Sequence, residues 1–484
     1  MKFIRPFFML SVAVTVLLTS CEKEDPQPAT ITANAGTDKT VEIGETVMLD
    51  GTASKGSANM SLSYAWSLVK KPAGSNALLE GATTTNPAFM PDKPGEYELE
   101  LTVSSASLSH TDKVLVIATA ATTPLVLDNI TANTTLEDRV QDPALPDYVV
   151  NSRIGVDAQL TIKPGVVIAF AEDVAMDVND GGVLIAKGEA DKKIRFTGKA
   201  AQKGYWTGLM FFSNSSANEF SHVEILYAGS TGLVDDVKTA LAVSDGARIT
   251  IKNTTVAHSG GYGLYLRDGS TLYGFASNVF SNNHEAPVLL TAVNVPKLDA
   301  VTVFTSNNGR NIIEVQSSFI NGPGEVVWQA FNDNTPYRLL GTMNVMTGWK
   351  LTPGITIEVA EDTHFDIGEG YIKAIGTAGK KITITGAVKT TGSWNGFVIY
   401  TRSSSNVMEH VDIKYAGGEH LISEVKTSIA VSHGGSLSIR NSTISNSGGY
   451  GIHVYGDDST LNADVETSNT FTNNALAAIF YDYF

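Results

Sequence analysis

One cysteine, Cys21, is all that this chain of 484 residues contains. That excludes an intrachain disulfide framework and any site built from several thiolates, so stability has to come from packing. Basic residues are in deficit as well: 34 Lys and Arg against 50 Asp and Glu give a formal net charge of −16. Such a surface repels phosphate backbones, which argues against nucleic acid as a partner and disfavours anionic polysaccharides unless cations intervene. Histidine is sparse, with nine in the chain, and no two sit at the close spacing of a zinc hydrolase. The one long apolar run, Phe7 to Leu18, lies at the very start and is too short to remain as a membrane span. What is abundant is glycine, 44 residues, with many Asn, Ser and Thr, the composition of a turn-rich β protein.

Lys2 and Arg5 precede the apolar run, which ends in Leu18-Thr19-Ser20-Cys21. A basic start, a short apolar core and small residues at a cleavage point read as a signal peptide over residues 1–20. The pattern resembles the lipobox of bacterial lipoproteins. That resemblance implies a diacylglycerol on Cys21, cleavage before it and acylation of the new N-terminus, so that several lipid chains anchor the protein stably. The alternative is a secreted chain whose cleavage site happens to hold a cysteine. Glu22, Lys23, Glu24 and Asp25, then Pro26 and Pro28, read as an extended tether over residues 21–30. Lys23 stands where an aspartate would signal inner-membrane retention, and the acids around it resemble a surface-export signal. The expectation is an outer-membrane lipoprotein exposed at the cell surface, with the membrane as its partner through the lipid.

Residues 31–119 alternate as short strands, with Tyr97, Leu99, Leu101 and Val103 facing one way and Glu98, Glu100 and Thr102 the other. Turn signals at Asp50-Gly51, Pro72-Ala73-Gly74 and Pro94-Gly95 separate them, as in a β-sandwich. Ala35-Gly36-Thr37-Asp38, Val47-Met48-Leu49-Asp50-Gly51, Tyr64-Ala65-Trp66-Ser67 and Gly95-Glu96-Tyr97 together resemble a PKD-type domain. The Gly-Asp-Gly turn that usually follows the central tryptophan is absent after Trp66, so the resemblance is to the chitinase-associated variant. It implies a spacer or weak binding module, with Trp66 in the core of the sandwich.

Beyond it runs a duplication. His222-Val223-Glu224-Ile225 recurs as His410-Val411-Asp412-Ile413, a shift of 188 residues, and Trp206-Thr207-Gly208 recurs as Trp394-Asn395-Gly396 at the same shift. Ser259-Gly260-Gly261-Tyr262-Gly263 falls on Ser447-Gly448-Gly449-Tyr450-Gly451, and upstream Pro164-Gly165 falls on Pro353-Gly354 at 189. The units span about residues 146–300 and 336–484. Within each, apolar strands of four to six residues alternate with turns rich in Gly, Asn, Asp or Ser, and nothing reads as a helix. Two sandwiches would need a linker that is missing, whereas a coil accepts repeats end to end on one core. Leu160-Thr161-Ile162-Lys163-Pro164-Gly165, Ile194-Arg195-Phe196-Thr197-Gly198 and Asn253-Thr254-Thr255-Val256 resemble the rungs of the right-handed parallel β-helix family, over residues 123–484. Asn253, Asn282 and Asn283, recurring as Asn441, Asn473 and Asn474, are expected to stack as a ladder at the turns. The fold class is all-β: a PKD-like sandwich, then a long duplicated β-helix.

No pair of carboxylates, acidic cluster with a base, or histidine cluster stands out as catalytic machinery. His222 with Glu224, and His410 with Asp412, lie two apart on strands and share a face, as an ion pair or a metal site would require. Glu172-Asp173 and Glu361-Asp362 recur at turns where calcium could be held. Asp235-Asp236 aligns with Ser423-Glu424, so the copies share no two-acid site. Tyr205, Trp206 and Trp394, each near glycine, are candidates for stacking on sugar rings, with core packing equally compatible. The expected function is a surface-anchored, non-catalytic protein that contacts an extracellular glycan or protein. The alternative is a polysaccharide lyase or glycoside hydrolase carried on the β-helix.

Overall fold

A computed structural model describes residues 28–57, 60–140 and 142–483. The leader, most of the tether and Cys21 therefore lie outside the described residues. The chain divides between Ala120 and Ala121 into two units.

The first unit is a sandwich. One sheet has four strands, with Gly95–Ser105 paired antiparallel to both Ser63–Lys70 and Leu108–Thr119, and Lys39–Glu42 parallel at the edge. The other has three short strands, Val47–Met48, Ala88–Phe89 and Leu79–Glu80. Tyr97, Leu99, Leu101 and Val103 are fully buried, as their alternation requires, and Trp66 is buried opposite Leu101. Glu96 and Glu98 point outward and pair with Lys70 and Lys113.

The second unit is a parallel β-helix with three strands per coil. Successive strands fall on face one, face two and face three in turn: Tyr148–Val150, Ile154–Val156 and Gln159–Ile162, then Val167–Phe170, Ala175–Val178 and Val183–Lys187. Each strand pairs in parallel with the one a coil later, so like residues stack. Tyr148, Ile168, Phe196, Ile225, Val256 and Phe280 form one inward column on face one. Met176, Leu209, Leu241, Leu264, Val288 and Ile313 form another on face two. These side chains are buried in one continuous core, each contributing about 1.5–3 kcal/mol by leaving water.

Single left-handed residues bend the chain at the corners. His222, Asn253 and Ser277 lead into face one with φ of 52°, 49° and 55°, and Tyr227, His258 and Asn282 lead out of it with 66°, 60° and 56°. Asparagine tolerates this region better than most residues, which explains its recurrence there. The hydrogen-bonded ladder is made by the residue after the bend. Asn283 Oδ1 accepts from the Ser259 backbone at 3.0 Å, and Asn308 Oδ1 accepts from the Asn283 backbone at 3.1 Å. In the second copy Asn474 accepts from the Ser447 backbone at 3.0 Å. Asn253, Asn282, Asn441 and Asn473 are thus bend residues, and of the expected ladder only Asn283 and Asn474 are rungs.

The two copies do not sit in phase around the coil. Val167–Phe170 is on face one, yet its counterpart Thr356–Val359 is on face two; Gly208–Phe211 is on face two, and its counterpart Gly396–Ile399 is on face three. Seven full coils plus one further strand position separate them, which turns the second copy by one face. Face two is an uninterrupted ladder through both copies. Face three is not. Where its next strand belongs, the chain forms a 3-10 turn, Ala292–Lys297, containing Pro296, which has no N–H to give to a ladder. This turn packs between Thr271–Ala276 of the first copy and Ser318–Ile320, the first strand of the next sheet on that side. The turn and a short helix at Val465–Ser468 correct the expectation that no helix occurs.

Candidate functional site

The recurring residues singled out in the sequence resolve into structural parts. Trp206 and Trp394 are fully buried, so neither can offer a face to a sugar. Each indole N–H donates to a backbone carbonyl, Leu226 at 2.7 Å and Lys414 at 2.8 Å, and Trp206 stacks on Phe170 at 4.1 Å. Tyr205 is half-buried against the same core. The apolar positions beside glycine were therefore packing positions.

His222 and Glu224 do not pair. The left-handed bend at His222 takes it out of strand Val223–Leu226, and its Nδ1 lies 3.2 Å from Ser221 Oγ. Glu224 is held by Lys193 at 3.2 Å and Arg195 at 2.9 Å from the preceding coil. Burial raises the cost of its charge, but the Arg195 and Lys193 bonds outweigh this and hold its carboxyl below the usual range. His410 occupies the same kind of bend, while Asp412 pairs with Lys381 at 3.0 Å and Lys414 at 3.3 Å. Glu172, Asp173, Glu361 and Asp362 are exposed turn residues, with Asp173 and Asp362 left-handed. Among the described residues no group of three or more His, Cys, Asp or Glu is arranged to hold a metal ion, so nothing in the structure supports calcium at these turns. Asp235-Asp236 forms the tip of a hairpin between Gly232–Val234 and Val237–Val243, and Ser423-Glu424 forms its counterpart.

What the sequence reading missed lies around the unduplicated coils that join the copies. On face two, Glu314 is buried although it points outward from the core columns of its strand, Ile313–Val315. It accepts from the Tyr262 hydroxyl at 2.6 Å and from Arg310 Nε at 2.7 Å, and Arg310 also pairs with Glu285. Burial, with the Glu314 carboxylate beside it, pushes the Tyr262 hydroxyl well up, so it keeps its proton. The second copy has no such cluster, because Tyr450 stacks on Phe480 at 4.8 Å instead.

Two residues along the same strand, Gln316 marks the corner between faces two and three, where the missing strand leaves an open cleft of about 730 Å³. Asp268 and Gly269 from the first copy, Val293 from the 3-10 turn, Gln316 and Phe319 from the joining coil, and Leu340 from the second copy line it. Gln316 bonds to the Tyr265 hydroxyl, which donates to Asp235 at 3.1 Å, linking the cleft to the hairpin tip. No periodic motif marks these residues. The signal available in the sequence was the break in the repeat itself.

The comparisons with known proteins bear on the first unit. No curated protein matches the chain. A solved nucleoside hydrolase-related hypothetical protein from Saccharophagus degradans, associated with carbohydrate metabolism, matches at 18% identity, 19% of this chain and a TM-score of 0.17. The chain spans only 26% of that protein's length. The PKD domain of the KIAA 1837 protein matches at 26% identity over 21% of this chain and 97% of that domain, with a TM-score of 0.18. Residues 35–118 match a family model of PKD domains, so the first unit is a PKD-like domain.

Proposed function

We propose that this chain is a lipid-anchored surface protein that binds an extracellular glycan or protein without transforming it. One observation carries the reading. The side chains that recur between the copies are occupied in packing, bends and ion pairs, whereas the open cleft of mixed polarity stands at the seam where the repeat fails. Clefts that gather exposed apolar and hydrogen-bonding groups without structural duty are where partners bind. A PKD-like domain ahead of the β-helix fits a spacer or accessory binding role.

A second reading has its own observation: Glu285, Arg310 and Glu314 cluster in one place only, as an enzyme site would. A glycan array on the full chain, with and without calcium and with product analysis of every hit, separates the two. Intact bound glycan is the expected result. Cleaved or unsaturated products that vanish in Glu314→Gln would establish the enzyme instead.

A further inference from the structure

We infer that the cleft at the seam is a subsite for a neutral oligosaccharide. This deepens the binding reading above and rests on it.

The lining chemistry selects the ligand. Phe319, 56% exposed, is the one exposed phenylalanine among the described residues, and it lines this cleft with Val293 at 44% and Leu340 at 43%. An exposed ring costs hydration free energy, and clusters of such groups mark contact surfaces. Between the apolar groups lie serine and threonine hydroxyls and the amides of Gln316 and Asn321. A sugar ring has both matching parts, C–H faces for the apolar side chains and hydroxyls that donate and accept.

Other ligand classes fit poorly. The cleft has no cationic lining residue, its one charged side chain is Asp268, and the whole chain carries −16, so uronate or sulfated chains are repelled. Three separate apolar side chains fall short of the continuous buried centre that a protein partner needs. The site is also a track. Asp268, Val293, Gln316 and Leu340 come from four successive coils, and strands about 4.8 Å apart give a run of roughly 14 Å along the coil axis, which suits several linked rings better than one.

The fold explains why this happens once. Pro296 and the 3-10 turn interrupt face three only at the seam, and the one-face turn of the second copy moves its equivalent surfaces to other sides of the coil.

The test is isothermal titration of the full chain with cellohexaose, mannohexaose and maltohexaose, set against hexagalacturonate. At least one neutral hexasaccharide should bind and hexagalacturonate should not. Phe319→Ala should weaken that binding at least tenfold, and Gln316→Ala about threefold. Phe319 packs into no core column, so its removal should leave the melting temperature unchanged, and Gln316→Ala provides a second variant if it does not. Unchanged affinity in both variants would overturn the subsite while leaving a glycan-binding protein standing. Preference for hexagalacturonate would overturn the neutral assignment, and silence towards all three neutral probes would overturn the subsite and weaken the binding reading with it.

Discussion

Asn282 and Asn283 are neighbours with opposite duties. Asn282 is a bend residue with φ of 56°, a conformation glycine adopts freely, so Asn282→Gly should shift stability by no more than about 0.5 kcal/mol. Asn283 is buried, accepts from the Ser259 backbone and donates to Val256 O at 3.3 Å. Asn283→Ala strands both backbone groups and should cost roughly 2–4 kcal/mol, read as a lower urea midpoint of the β-helix. Equal effects of the two changes would contradict the ladder. Titrating residues act at this scale too. His453, the counterpart of Tyr265, is fully buried, with Nε2 3.5 Å from Asp482, and burial holds its pKa below the usual histidine value. The unfolded chain therefore takes up a proton that the folded chain refuses. Stability should fall as pH drops below about 6.5, and His453→Tyr should flatten that slope in melts between pH 7 and pH 5. Glu224 acts in a lower window. Its contribution is complete above the usual glutamate value and is lost as pH falls through its lowered native one, so Glu224→Gln should soften the acid transition.

At the scale of elements, the two hairpins at Asp235-Asp236 and Ser423-Glu424 have both tip residues left-handed, φ 51° and 57° in the first and 50° and 58° in the second. That is the two-residue turn whose twist suits a hairpin, and it tolerates Asp, Asn or Gly far better than a β-branched residue. Asp236→Val should destabilise the hairpin by about 1–2 kcal/mol and open it to limited proteolysis, whereas Asp236→Gly should keep it protected. The periodic signals were legible because each strand buries alternate residues against the core. Tyr97, Leu99, Leu101 and Val103 could be read straight off the chain, and so could the columns through Phe196 and Ile225. The tryptophans misled because a ring beside glycine looks the same in sequence whether the glycine opens a surface or admits the ring to a core.

For the whole molecule, Cys21 remains the proposed tie to a membrane. Cys21→Ala should move the protein from the membrane fraction to the soluble one, and recovery of the variant with membranes would end the anchor proposal. The duplication shapes the rest. A repeat of 188 residues suggested two equal decorations along one rod, but the second copy is turned by one face, so equivalent side chains do not line up for one straight ligand. Only face two runs unbroken, and the cleft opens on its border.

The amino-acid sequence by itself determined the strands, the bends, the PKD-like domain and the duplication, because each depends on residues close together in the chain or repeated at constant spacing. Which face a strand occupies depends on the number of strand positions before it, including one filled by a 3-10 turn, and that count exists only once the coil is closed. The rotation of the copies, the burial of Trp206 and Trp394, and the cleft beside Phe319 were decided there, by packing between residues a coil or more apart.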